Sequence, residues 1–130
     1  MIRLHHTGFV VKDIAAWEKN MLFENKIKEV IDPIQKAKLA LYSNFSDSFI
    51  ELIQPLEEDS FTMNALLKSG NHFNHFCYHV DSIEEMNEVA SKYKLIPVLG
   101  PVPALLFDNE QVAFFYGRNR QIVEFLISTL

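Results

Sequence analysis

Cysteine is almost absent from this 130-residue chain: Cys77 stands alone. One thiol excludes an internal disulfide framework and a multi-cysteine zinc site. Positive charge is also scarce. Twelve lysines and arginines against seventeen acidic residues leave a formal charge of −5, where a general nucleic-acid binder shows a basic patch. Missing too is any apolar run long enough for a bilayer-spanning helix. The opening MIRLHHTGFVV sets a charge and two histidines where a secretory signal needs an unbroken apolar stretch. What the chain does have is hydrophobic residues, at 48%. That is enough to bury a core and too much for disorder at this low net charge. The length suits one compact domain or two small fused modules. The expectation is a soluble, cytoplasmic protein that handles a small molecule, with no nucleic acid and no membrane as partner.

Local patterns place the elements. RLHHTGFVV over 3–11 is rich in β-branched and aromatic residues, as strands are. Asp13 then suits an N-cap, and Ile14, Trp17 and Met21 fall at helix spacing within IAAWEKNMLFENK. Strand-like pieces follow at 27–33, 36–43 and 48–54, separated by Asp-Pro and Ser-Asn-Phe-Ser-Asp turn signals. After an acidic loop at 55–59, Ser60 is placed to cap a short helix ending at Gly70. The same order then recurs. Asn74 to Val80 reads as a strand, Ser82 with Glu85 fits a capping box, and IEEMNEVASKYK continues as a helix. Further strand-like pieces lie near 95–99, 104–107, 111–116 and 121–127.

The recurrence holds at the level of residues. HTGFVVKDI begins at His6 and HFCYHVDSI at His75, and each has an Ile eight positions after its His. FIELI centres on Glu51 and IVEFLI on Glu124, each on the last strand of its half. A duplicated module fits this better than a solenoid, which needs more copies. Strand side chains alternate between faces, so Glu51 and Glu124 have apolar neighbours on both. One such Glu is most simply read as pointing outward or pairing with a Lys. Two at equivalent positions, each matched with a His, favour burial, which is costly for a carboxylate unless it is paired or bound to metal. Two His and two Glu make a mixed nitrogen and oxygen set that suits zinc, nickel, cobalt, manganese or iron. In an octahedral shell they leave two positions for water or substrate, so the metal is open to act as a Lewis acid.

LHHTGFVVKDI, FIELIQPLEEDS, HFNHFCYHVDSI and QIVEFLI, in this order and spacing, resemble the vicinal oxygen chelate (VOC) superfamily, also known as the glyoxalase/bleomycin resistance/dioxygenase family. The similarity is to its branch with glyoxalase I and methylmalonyl-CoA epimerase. The resemblance implies an α+β fold in which two tandem βαβββ modules form a cupped, mostly antiparallel sheet around a divalent metal. Module one then covers about 1–56, a connecting helix and linker about 57–72, and module two about 73–130. Position by position, His6, Glu51, His75 and Glu124 fall on the family's four metal ligands. The activity implied is that of a lyase or isomerase (lactoylglutathione lyase-like or acyl-CoA epimerase-like) that forms a metal-stabilised enediolate or enolate. Glu124 is first choice for the base and Glu51 second. Two alternatives belong to the same superfamily: a non-catalytic small-molecule binder of the resistance type, and a dioxygenase with two His and one Glu around iron. Such duplicated modules often associate, so a homodimer is expected. The epimerase's glycine-rich turn and His-Pro hairpin are replaced here by GPVPALLFDNEQVAFFYGRNRQIVEF, and no glutathione-specific motif is visible. Loops of this kind carry substrate identity.

Other residues carry expectations of their own. His79 shares a strand face with His75 but lies about 13 Å away, too far to share its metal; it is a possible cleft residue. Arg118 and Arg120, at a hairpin tip, are possible anion-steering residues of the cleft. His5 should face away from His6, His72 should lie exposed in the linker, and Cys77, the repeat partner of Gly8, should be small and buried.

Overall fold

The first module runs β1 (Arg3–Val10), α1 (Ile14–Glu18), β2 (Asn25–Asp32), β3 (Ala37–Ser43) and β4 (Phe49–Pro55). A connecting helix, α2 (Met63–Ser69), leads to β5 (His72–Val80), α3 (Ile83–Lys92), β6 (Ile96–Ala104), β7 (Glu110–Tyr116) and β8 (Ile122–Ile127). These assignments come from a computed structural model that describes residues 1–128. The βαβββ order expected from the repeat thus appears twice. All eight strands join one sheet in the order β2-β3-β4-β1-β5-β8-β7-β6. The two first strands, β1 and β5, pair antiparallel at its centre. Each takes the last strand of its own module as a parallel neighbour, β4 beside β1 and β8 beside β5.

Strand alternation gives each half two packed faces. On the convex face of module one, Ile50, Leu52, Ala40 and Tyr42 pack under Ile14 and Trp17. On the concave face, Leu39, Leu41, Phe49 and Ile53 pack with Val10 and Leu106. In module two, Phe115, Phe125 and Ile127 meet Met86 and Ala90 of α3. Cys77, Val112, Phe114 and Leu126 line the concave side. Fully buried side chains such as Leu52 and Phe125 each contribute about 1.5–3 kcal/mol relative to exposure. The sheet curls into a half-barrel. Its first edge reaches the segment after β6, where Lys28 Nζ donates to the Leu105 carbonyl at 2.9 Å and to Asp108 Oδ1 at 2.8 Å. Among the described residues no helix is long and apolar enough to cross a membrane.

Several local expectations needed correction. The first helix stops at Glu18 rather than running through the apolar pattern. Glu24 N must already bond the Ser43 carbonyl, at 2.8 Å, to start the β2–β3 ladder, so Met21 and Phe23 reach the helix-side cluster from irregular backbone. Asp13 does cap it, accepting from Ala15 N and Ala16 N. Residues 105–107 form a 3₁₀ turn, not a strand, because Asp108 and Asn109 turn the chain at positive φ. Ser60 caps no helix; its hydroxyl donates to the Lys36 carbonyl at 2.6 Å. Ser82 accepts from Glu85 N as expected, while the Glu85 carboxylate accepts from Asp81 N, one residue before the cap. His72 opens β5 half-buried instead of lying exposed in the linker.

Candidate metal centre

The centre lies where the two modules meet. Across the central strand pair His6 faces Cys77 and Gly8 faces His75. Beside them, in the parallel pairs, Gly8 faces Glu51 and Cys77 faces Glu124. The repeat therefore brings one His and one Glu from each module to a common point on the concave side. His6 Nε2 lies 3.1 Å from His75 Nε2. Glu51 Oε1 is 3.2 Å from each of these nitrogens. Glu124 Oε1 is 3.1 Å from His6 Nε2 and 2.9 Å from His75 Nε2. The four donor atoms all lie within 4.8 Å of one another.

These distances match the spacing of a metal's ligands. With bonds of about 2.1 Å to nitrogen and oxygen, neighbouring donors in an octahedral shell stand roughly 3.0 Å apart. A second property agrees. Glu51 Oε1 and Glu124 Oε1 sit at ion-pair distance from the ring nitrogens, yet neither makes a directed hydrogen bond to any group among the described residues. Lone pairs of four buried donors converge on one point, where a divalent cation would satisfy them. The side chains present fit the group that the family pattern implies.

Charge and burial act strongly on these groups. Burial opposes charge on His75, but Glu124 and Glu51 outweigh it and raise its pKa to about 10. His6 is raised as well, with burial again opposed by the two carboxylates. Burial pushes Glu124 upward, and the contacts to His6 and His75 more than reverse this, leaving it at about 2. Glu51 is lowered in the same way. Cys77 moves oppositely: burial, then the nearby carboxylates, push its thiol well up, so it stays a neutral neighbour of Glu124.

Two segments cover the concave side. Phe107, in the 3₁₀ turn, stacks on His6 at 5.5 Å between ring centroids and 21° between planes. Phe61, just before α2, contacts Phe114, which in turn stands edge-on to His75 at 6.2 Å.

The other candidate residues go to different places. His79 is on the ligand face and buried, with Nδ1 lacking a hydrogen-bond partner among the described residues. Arg118 borders a groove on the convex side, with Tyr78, Val89 and Phe125, and so faces away from the metal centre. Arg120 is exposed at the same tip. Against the expectation from strand alternation, His5 does not face away from His6, and Asn74 drew no expectation from the sequence. His5 lies beside His6, with the two Nδ1 atoms 2.9 Å apart, and its ring packs on Phe49 and Phe107. Burial, with His6 adding to it, lowers its pKa to about 4. Asn74 Oδ1 lies 2.8 Å from His75 Nδ1. Their one available signal was position, since each immediately precedes a repeat histidine.

No significant match is found among curated proteins. Among solved structures, a hypothetical protein of Bacillus halodurans C-125 shares 25% identity, covering 98% of this chain and 94% of that one, with a TM-score of 0.82. Methylmalonyl-CoA epimerase from Mycobacterium tuberculosis shares 21%, covering 96% and 87%, with a TM-score of 0.82. A variant of Streptomyces coelicolor methylmalonyl-CoA epimerase, solved with 2-nitronate-propionyl-CoA, shares 19% over 97% and 94%, with a TM-score of 0.79. At the level of sequence families, residues 5–114 match one model, and by that match the chain belongs to the Glyoxalase/Bleomycin resistance protein/Dioxygenase superfamily.

Proposed function

We propose that the chain is a metal-dependent lyase or isomerase that moves a proton on a carbon next to a carbonyl of a small oxygenated substrate. The observation that carries this reading is the convergence of four buried donors, two of them carboxylate oxygens with no hydrogen-bond partner. Burying such charges costs several kcal/mol per ion unless it is compensated. His6 and His75 would hold the cation through Nε2, and Glu51 and Glu124 through Oε1. A bound divalent ion supplies Lewis acidity, which polarises the carbonyl and acidifies the adjacent C–H. Proton movement falls to the carboxylates, with Glu124 assigned as the base and Glu51 second. Phe107 and Phe114 wall the centre. The epimerases among the similar structures make an acyl-CoA thioester the first substrate class to test. A hemithioacetal of the glyoxalase type is the second.

The test loads the protein with zinc, nickel, cobalt, manganese or iron and follows deuterium uptake at the α-carbon of each substrate in D₂O. Exchange is expected with at least one metal, lost on chelation and restored on reloading. Glu124→Gln should keep metal but lose roughly 10²–10⁴-fold in exchange rate. Full metal content with full exchange in that variant would move the base to Glu51. A wild-type protein that takes up no divalent metal would leave non-catalytic binding as the better reading.

A further inference from the structure

The central strands β1 and β5 pair with two register breaks. Leu4 faces Tyr78 and His6 faces Cys77, so His5 is an extra residue on β1. Gly8 faces His75 and Phe9 faces Phe73, so Asn74 is an extra residue on β5. Each β-bulge lies one residue before a histidine of the centre. On a regular strand, the residue before a histidine points to the other face. A bulge breaks that alternation and re-aims a side chain, which is why bulges gather beside active sites. Here both bulged side chains swing onto the Nδ1 atom of the histidine that follows, His5 at 2.9 Å and Asn74 at 2.8 Å.

We infer that His5 and Asn74 are positioning residues, each accepting the Nδ1–H of the next histidine so that its Nε2 is bare and aimed into the metal centre. The inference rests on the metal reading of that centre. A histidine that offers Nε2 must carry its proton on Nδ1, and a partner there fixes both tautomer and ring angle. Asn74 provides an amide oxygen that can only accept. The Asn74 backbone is itself held, because its carbonyl accepts from Gln121 Nε2 at 3.2 Å. His5 can accept at Nδ1 only as the neutral ring protonated at Nε2. The two modules thus solve one task at equivalent bulges with different side chains, an imidazole in the first and an amide in the second.

The experiment uses the full chain loaded with cobalt(II). Paramagnetically shifted, solvent-exchangeable N–H signals then report each coordinated imidazole. The wild type should show two. His5→Phe keeps a ring against Phe49 and Phe107 but removes the acceptor, and Asn74→Leu removes the other acceptor. Each should lose one signal to fast exchange and keep the other, with cobalt affinity reduced roughly 10- to 100-fold. His5→Asn, which copies the second module, should keep both signals and near-native affinity. This rescue separates positioning from packing, and His5→Leu serves if His5→Phe does not fold. Two unchanged signals and unchanged affinity in His5→Phe and Asn74→Leu would overturn the inference while leaving the metal centre standing. A wild type that binds no cobalt would overturn both.

Discussion

Gly8 has no side chain because none fits. A Cβ there would stand 2.2 Å from His75 Cε1 and 2.6 Å from its Nδ1. The ring is confined, with Asn74 Oδ1 2.8 Å from its Nδ1 and Glu124 Oε1 2.9 Å from its Nε2. Gly8→Ala should therefore destabilise the metal-free protein by about 1–3 kcal/mol, as overpacking does, and weaken metal binding by turning the His75 ring. Urea unfolding and a metal titration measure the two effects. Native affinity in that variant would show that the ring is free to adjust. Part of this tightness was legible in the sequence, because Gly8 and Cys77 occupy the same place in the repeat; the histidine that each faces comes from the strand pairing. His6, Glu51, His75 and Glu124 were legible for a related reason: a carboxylate flanked by apolar residues on both strand faces has nowhere wet to go. His5 and Asn74 were not. A bulge shifts the face of one residue, and nothing in LHHTGF or FNHFCY marks where the extra residue lies.

At the scale of elements, the 3₁₀ turn after β6 is what closes the concave side over module one. Leu106 packs inward with Leu39 and Leu41, and Phe107 lies on His6. The polar tie from Lys28 to Asp108 is surface-exposed on the Asp108 side, at 90% of that side chain's full exposure, so it contributes little. Asp108→Asn should accordingly change stability by less than about 1 kcal/mol. Phe107→Ala should cost more, toward the lower end of the 3–5 kcal/mol typical of buried Phe→Ala because the residue is only half-buried. It should also speed removal of bound metal by a chelator. Equal chelation rates in the two variants would show that Phe107 does not guard the centre. The sequence reads this stretch as a strand because ALLF is apolar in every position. The apolar content serves a plug, and the positive φ values of Asp108 and Asn109 leave no trace that distinguishes the plug from a strand end. The truncated α1 was hidden for a similar reason: Ile14, Trp17 and Met21 share one cluster, whether or not the backbone between them stays helical.

Across the whole molecule, the duplication makes one charge cluster that both modules must complete. Each half alone supplies one His and one Glu. Joining β1 to β5 packs two carboxylates and two imidazoles into a buried knot that is neutral when both rings are protonated. This ties stability to pH with a definite sign. His75 has its folded-state pKa raised from 6.5 to about 10. Its contribution to the metal-free fold is fully present below pH 6.5 and is lost as pH climbs through about 10. Glu124 is lowered from 4.5 to about 2, so its contribution is present above pH 4.5 and is lost as pH falls through about 2. Metal-free protein should thus be most stable between these limits, near pH 4.5–6.5, and should melt at progressively lower temperature toward pH 9. Metal binding runs the other way, because an imidazole that is protonated at Nε2 must release that proton to bind the ion. Melting temperatures of chelator-treated and metal-loaded protein, measured from pH 5 to 9, should separate more widely at each step upward in pH. The same protons should be released on titration with metal in weakly buffered solution. If the two curves stay parallel, or if the metal-free protein gains stability above pH 6.5, then the four side chains do not share protons as a single knot. The two halves would then be joined by the β1–β5 ladder and the apolar walls of the sheet.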